Sequence, residues 1–178
     1  MIAAQKLFTI RVPTKAYLKK YITARYGHPI RISNATLIGV MIFSMAQKNI
    51  TTNLNTNKKD LKFKFFNDLL LFRAPISEVR TIGLGLTSDA VIQLNRFFEA
   101  HFEDDLYTWC QAHIKSSGRR KGYDKAIYSF ADKYFIDLYS DITFDALKQT
   151  EFRYRKAIET NYKNFCLAQQ QPQQLSFI

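Results

Sequence analysis

Residues 7–27, LFTIRVPTKAYLKKYITARYG, change from one hydrophobic period to another, and this change indicates a fold of mixed strands and helices. Apolar residues alternate with polar ones over Leu7–Val12, the pattern of a half-buried strand. Pro13 ends this strand because it has no backbone N–H to donate. Thr14 is of a type that caps helices and Gly27 is of a type that ends them, so we predict a helix between the two.

The predicted helix is strongly basic on one side. Its lysines fall opposite its apolar residues, which indicates a cationic surface facing solvent. We predict that this surface and its flanks make sequence-independent contacts to phosphate groups. The candidate residues are Lys15, Lys19, Lys20, Arg25 and Arg31.

The charge of the whole chain is distributed unevenly. The first acidic residue is Asp60, and ten lysines and arginines precede it. From Asp60 onward, 16 basic residues face 15 acidic ones, so the residues before Asp60 contribute +10 of the net +11. Such a segment holds no carboxylates for internal ion pairs, and it favours a polyanion as partner. The sequence therefore predicts a nucleic-acid-binding protein.

The remaining patterns complete the expected fold. Two strand-like runs, 61–66 and 69–74, flank Asn67 and Asp68, a pair that tolerates the positive φ of a hairpin turn. A long amphipathic helix begins near Thr87, and further helical patterns follow it. We predict an α+β fold in which a basic N-terminal αβ layer, with a small sheet and a β-hairpin, packs on a C-terminal three-helix bundle.

These patterns divide the chain into three regions. Residues 1–86 form the basic αβ region with the β-hairpin, and residues 87–168 form the helical region with a helix-turn-helix pattern. Residues 169–178 form a Gln-rich tail that we expect to be flexible, since its composition is polar and of low complexity.

The helical region carries a candidate DNA-reading element. A helical pattern over 124–136, a polar turn over 137–142 and a helix that opens at Thr143 resemble the helix-turn-helix of small DNA-binding proteins. The opening block, from Phe8 to Lys48, is similar to uncharacterised small proteins carried by prophages and other mobile elements. The first resemblance implies duplex DNA as the ligand, and the second implies a role in regulation or replication of such an element. Side chains suited to base edges form one stripe on the second helix: Gln149, Arg153 and Lys156. A Gly-flanked basic loop just upstream predicts further phosphate contacts from Arg119, Arg120 and Lys121.

The tail suggests a second kind of partner. Its last five residues, QLSFI, resemble the short peptides by which replication and repair proteins dock on the bacterial sliding clamp. The resemblance implies partner contacts from Gln174, Leu175, Phe177 and Ile178. Two alternatives to DNA binding stay open: an adaptor that recruits a partner through this tail, or an RNA-binding protein.

No pattern in the sequence supports catalysis. Asp60-Leu-Lys62 has the second half of a metal-nuclease motif, but no carboxylate precedes it. His28 and Arg31 have the spacing of a tyrosine-recombinase motif but lack the long upstream segment that this family requires. We predict a non-enzymatic protein without cofactor or metal. The most apolar run, 35–46, is too short to cross a bilayer, and the two cysteines are far apart, so we expect a cytoplasmic protein.

Overall fold

The computed structural model describes residues 7–47, 65–77, 79, 85–117 and 119–170. The α+β fold class predicted from the sequence is confirmed: a small sheet layer precedes three long helices that pack on one another. The elements in chain order are β1 (Leu7–Thr14), α1 (Ala16–Tyr26), β2 (Ile30–Arg31), α2 (Leu37–Met45), β3 (Ala46–Gln47), β4 (Asp68–Pro75), β5 (Gly85–Leu86), α3 (Ser88–Ser117), α4 (Arg119–Lys133) and α5 (Phe144–Gln170).

The main sheet has the strand order β1-β4-β2, so β4 is its central strand. β1 pairs with β4 in antiparallel fashion along its whole length, from Leu7 opposite Pro75 to Thr14 opposite Asp68. β2 lies on the other side of β4 and runs parallel to it. β3 and β5 form a separate two-stranded sheet.

The two faces of the main sheet differ in their surroundings. One face is buried and packs against α1 and α3, where the Phe72 ring stacks on Phe98 with centroids 6.3 Å apart. Its buried side chains are Ile10, Val12, Leu70, Phe72 and Ala74. Because side chains alternate along a strand, the residues between these point to the opposite side. We call that side the open sheet face; it carries Leu7, Thr9, Arg11, Arg31, Leu69, Leu71 and Arg73, and all of these except the half-buried Leu71 are exposed.

An aromatic cluster joins α1 to the long helices. The Phe102 ring of α3 lies 5.0 Å from Tyr17 and 5.2 Å from Tyr21 of α1, measured between centroids. On its other side it lies 5.5 Å from Phe130 of α4. Phe102 is 1% exposed, and the buried residues of the basic region and the helical region belong to one hydrophobic cluster.

Of the two predicted ends of α1, the C-terminal one is correct and the N-terminal one is not. Gly27 ends the helix with a φ of 85°, a value that glycine adopts without strain, as expected. The prediction that Thr14 caps the helix is wrong, because Lys15 is the N-cap residue and makes no side-chain cap. Thr14 is instead the buried last residue of β1, and its hydroxyl donates to Asn95 Oδ1 at 2.6 Å. A buried hydroxyl needs such a partner more than an exposed helix end does.

The predicted β-hairpin differs from the structure at its turn. Asp68, expected in the turn, is the first residue of β4 and lies opposite Thr14 of β1. Phe65–Asn67 lies outside any strand, and residues 61–64 of the expected partner strand lie outside the described residues. β4 therefore pairs with the distant β1, because that pairing buries Leu70 and Phe72 against α1 and α3.

The start of α2 depends on a close backbone approach. Thr36 caps the helix: its Oγ1 accepts from Gly39 N at 3.2 Å and donates to Ser33 O at 2.9 Å. A Cβ at Gly39 would collide with the carbonyl oxygen of Ser33 and crowd Thr36 Oγ1. Glycine is therefore required at position 39 because there is no room for a Cβ atom. Its φ lies outside the left-handed region, so backbone conformation is not the reason.

We expect Gly39→Ala to lower the free energy of unfolding by about 1–3 kcal/mol, although alanine is the better helix former, because the added methyl displaces the Ser33–Thr36 cap. Urea unfolding measures this loss. Val40→Ala is the matched control in the same helix, since Val40 is 49% exposed and should change little. A Gly39→Ala protein that is more stable than the parent would contradict the cap geometry.

Candidate nucleic-acid interface

The predicted cationic surface of α1 is paired with carboxylates. Four of its five candidate side chains form ion pairs to residues that follow Asp60 in sequence. The nitrogen–oxygen distances are 2.5 Å for Lys15–Glu99, 2.7 Å for Lys19–Asp68 and 2.6 Å for Lys20–Asp141, and Arg25 Nη1 pairs with Asp105 Oδ2. The fold brings these carboxylates from β4, α3 and the α4–α5 connection to α1.

The expectation that the N-terminal cations lack internal partners is therefore wrong for these four side chains. The basic and acidic residues are separated along the chain but adjacent in the fold, because α1 packs between β4 and α3. Each partly exposed pair stabilises the fold by about 0–1 kcal/mol, so the pairs contribute little to the free energy of unfolding. Their larger effect is to offset positive charge locally. Phosphate contacts by Lys15, Lys19, Lys20 and Arg25 stay a prediction.

Arg25 also forms a hydrogen bond to a buried tyrosine, Tyr21. Tyr21 Oη donates to Asp105 Oδ2 at 2.7 Å, and Arg25 Nη1 donates to Tyr21 Oη at 3.0 Å. Burial, and then the hydrogen bond to Asp105, raise the pKa of Tyr21 well above its ordinary value. Tyr21 therefore stays a neutral donor, and Arg25 is held in place on the α1–α3 interface.

Three arginines occupy the open sheet face, one from each strand: Arg11, Arg31 and Arg73. We call them the sheet-face arginines. Arg31 and Arg73 are direct neighbours in the parallel β2–β4 pairing. Arg11 lies opposite Leu71, which is two residues from Arg73 on the same face. All three are exposed, and none forms an ion pair with a carboxylate that the structure describes.

This arrangement differs electrostatically from α1. No aspartate or glutamate lies on the described part of the open sheet face. Neighbouring strands are about 4.8 Å apart, so Arg31 and Arg73 hold like charges side by side. Like charges on directly paired strand residues are unfavourable unless an anion lies between them. The open sheet face is therefore suited to an external anion.

A cavity adjoins two of these arginines. Its volume is about 450 Å³, and it lies between the β2–β4 edge and the loop that leads into α2. The polar side chains in its described lining are Arg31, Arg73, Ser33 and Thr36. The backbone holds its arginines in place, because Ile32 N donates to Arg73 O at 2.9 Å.

The predicted basic loop is helical. Arg119, Arg120 and Lys121 form the first turn of α4, and only residue 118 separates α4 from the end of α3. Arginine and lysine are good helix formers, and this preference outweighs the loop signal of the flanking glycines. Their role in phosphate binding stays a prediction.

The stripe proposed for base contact lies on the surface of α5. Gln149, Arg153 and Lys156 are all exposed, and Arg153 Nη2 donates to Gln149 Oε1 at 3.3 Å. Lys156 Nζ lies 4.7 Å from the centroid of the Phe152 ring. α4 and α5 are joined by residues 134–143, a longer connection than the turn predicted at 137–142. Thr143 begins α5 as expected, since its Oγ1 accepts from Ala146 N at 3.2 Å.

Sequence reasoning found one of the sheet-face arginines and missed two. Arg31 is a candidate because it flanks the basic helix that Gly27 ends. Arg11 sits at a polar position of the strand pattern over Leu7–Val12, and this signal was sufficient to find it. Arg73 was hidden in an apolar run, and its pairing with Arg31 depends on a parallel contact that sequence patterns do not reveal. The tail residues Gln174, Leu175, Phe177 and Ile178 lie outside the described residues.

The described residues offer neither a metal site nor a membrane-spanning helix. In the described ranges, no group of three or more His, Cys, Asp and Glu side chains is placed to hold a metal ion. In the same ranges, no helix is both long and apolar enough to cross a membrane. No family model matches the chain, and neither a curated protein nor a solved structure matches it.

Proposed function

We propose that this chain is a non-enzymatic, cytoplasmic nucleic-acid-binding protein that holds a phosphate backbone on its open sheet face. One observation carries the proposal: Arg11, Arg31 and Arg73 share that face with no described carboxylate beside them. Arginine binds phosphate through a planar fork of N–H groups, and it stays charged at every physiological pH. The contact would be independent of sequence, because phosphates carry no base information.

Duplex DNA is the ligand that we propose, ahead of RNA. The support is the exposed stripe Gln149, Arg153 and Lys156 on α5, whose side-chain types match base edges in the major groove. On the resemblance of the block Phe8 to Lys48 to small proteins of prophages and mobile elements, we propose a role in regulation or replication of such an element. The sheet-face arginines would then supply affinity and the α5 stripe would supply sequence preference.

Binding to labelled duplex DNA, single-stranded DNA and RNA of one sequence, at two salt concentrations, tests the proposal. We expect the parent to bind duplex DNA most tightly. The triple variant Arg11→Gln, Arg31→Gln, Arg73→Gln should bind about 1000-fold more weakly or worse, since each charge-assisted contact contributes about 1.5–3 kcal/mol.

A matched control removes the same charge elsewhere. Arg96→Gln, Lys115→Gln, Lys125→Gln changes three exposed cations of α3 and α4 that have no ion pair with a described carboxylate. This control should retain most of the affinity. If both triple variants lost the same affinity, net charge alone would explain binding and the open sheet face would not be the site. A parent protein that binds none of the three probes in dilute buffer would overturn the proposed function.

A further inference from the structure

The cavity beside β2 and β4 differs from the rest of the open sheet face. Two guanidinium groups, those of Arg31 and Arg73, line it together. Their register is fixed, because Ile30 and Phe72 are paired and buried on the opposite side of the sheet. A slip of β2 by one residue would turn Arg31 toward the buried face and Ile30 toward the open one, so the pairing keeps Arg31 beside Arg73.

The other walls complete an anion-binding shape. Ser33 Oγ accepts from Ala35 N at 3.3 Å, which leaves its proton able to donate toward the cavity. Thr36 Oγ1 is already engaged in the α2 cap. The other described residues of the lining, Leu7, Ile32 and Pro75, are apolar. Among the described residues that line it there is no aspartate or glutamate.

The form of the cavity distinguishes two kinds of phosphate. A phosphodiester inside a strand carries one negative charge and continues in both directions, so it fits an open surface. A phosphate monoester ends its chain, carries a charge near −2 and offers three acceptor oxygens. A recess with two guanidinium groups and a hydroxyl donor matches the monoester in charge and in hydrogen bonding.

We infer that this cavity binds the terminal phosphate of a nucleic-acid strand. The inference rests on the proposed function and deepens it, since the same arginines serve both. Arg31 and Arg73 donate hydrogen bonds to the terminal phosphate, and Ser33 donates to one of its oxygens. Arg11 lies on the same face but outside the cavity lining, so it contacts a phosphodiester farther along the strand.

Oligonucleotides of one sequence with a 5′-phosphate, a 3′-phosphate or only hydroxyl ends test the inference. We expect the parent to prefer one of the phosphorylated forms by about tenfold. Arg73→Gln should abolish this preference. Arg11→Gln is the matched control on the same face: it should weaken all three ligands equally and leave the ratio unchanged. Thermal melting checks that both variants, which change exposed side chains, remain folded.

The outcomes separate this inference from the proposed function. If neither phosphorylated end is preferred while the sheet-face variants still lose affinity, the terminal-phosphate site is wrong and the nucleic-acid interface stands. A preference that survives Arg73→Gln also overturns the site. Adenosine 5′-monophosphate serves as a competitor, and displacement of the oligonucleotide at micromolar concentration would assign the cavity to free nucleotides instead. If no oligonucleotide binds at all, both proposals fail together.

Discussion

Phe102→Ala is expected to destabilise the protein by about 3–5 kcal/mol, the usual cost of removing a fully buried aromatic ring. The ring is 1% exposed and packs against Tyr17 and Tyr21 of α1 on one side and Phe130 of α4 on the other. Its removal therefore loosens the contact of the sheet layer with the long helices. Urea unfolding followed by circular dichroism and by tyrosine fluorescence measures the loss.

The two signals should change at the same urea concentration, because the aromatic cluster links both regions into one cooperative unit. Phe165→Ala is the control, since Phe165 is 60% exposed on α5 and its removal should cost within about 0.5 kcal/mol. Two separate transitions in the parent protein, or a loss for Phe102→Ala no larger than that for Phe165→Ala, would show that the cluster does not join the regions.

Glu151→Ala is expected to cost about 2–4 kcal/mol, because it leaves a partly buried guanidinium without its counter-charge. Glu151 is fully buried on α5, with its Oε1 3.5 Å from Arg155 Nε. Tyr123 Oη donates a short hydrogen bond to its Oε2. Burial and this bond raise the pKa of Tyr123 well above its ordinary value, so the hydroxyl remains protonated and loses its acceptor in the variant.

The free energy of unfolding at pH 7 checks this expectation. Glu159→Ala is the matched control, since Glu159 is an exposed glutamate of the same helix. Tyr123→Phe should cost less than Glu151→Ala, because it removes one hydrogen bond and leaves the ion pair intact. If Glu151→Ala were no more costly than Glu159→Ala, the buried carboxylate would have no structural role.

Local sequence chemistry predicted the parts of the fold that depend on neighbouring residues. The alternation over Leu7–Val12 corresponds to β1, and Gly27 ends α1 with the positive φ expected of it. Thr87 and Thr143 begin long helices, and each accepts a hydrogen bond from a backbone N–H three residues later. Such caps are visible in sequence because donor and acceptor lie within one helical turn.

Contacts between distant residues were not predictable in the same way. β4 pairs with β1 more than 50 residues away, where the sequence suggested a hairpin with its immediate neighbour. The ion pairs of α1 cross similar distances: Lys15 meets Glu99, and Arg25 meets Asp105. The choice of partner depends on which faces pack together, and single-chain periodicity does not report this. Because the α1 cations pair with carboxylates and the sheet-face arginines do not pair with any described carboxylate, the candidate interface is the open sheet face and not α1.

The salt dependence of duplex binding tests this relocation most directly. Two triple variants remove the same net charge: the sheet-face triple, and Lys15→Gln, Lys19→Gln, Lys20→Gln on α1. Each lost phosphate contact should reduce the slope of log K against log salt by about 0.9. We predict a reduction of about two to three units for the sheet-face triple and of less than about one unit for the α1 triple. An α1 triple whose slope falls as far as that of the sheet-face triple, or farther, would contradict the account.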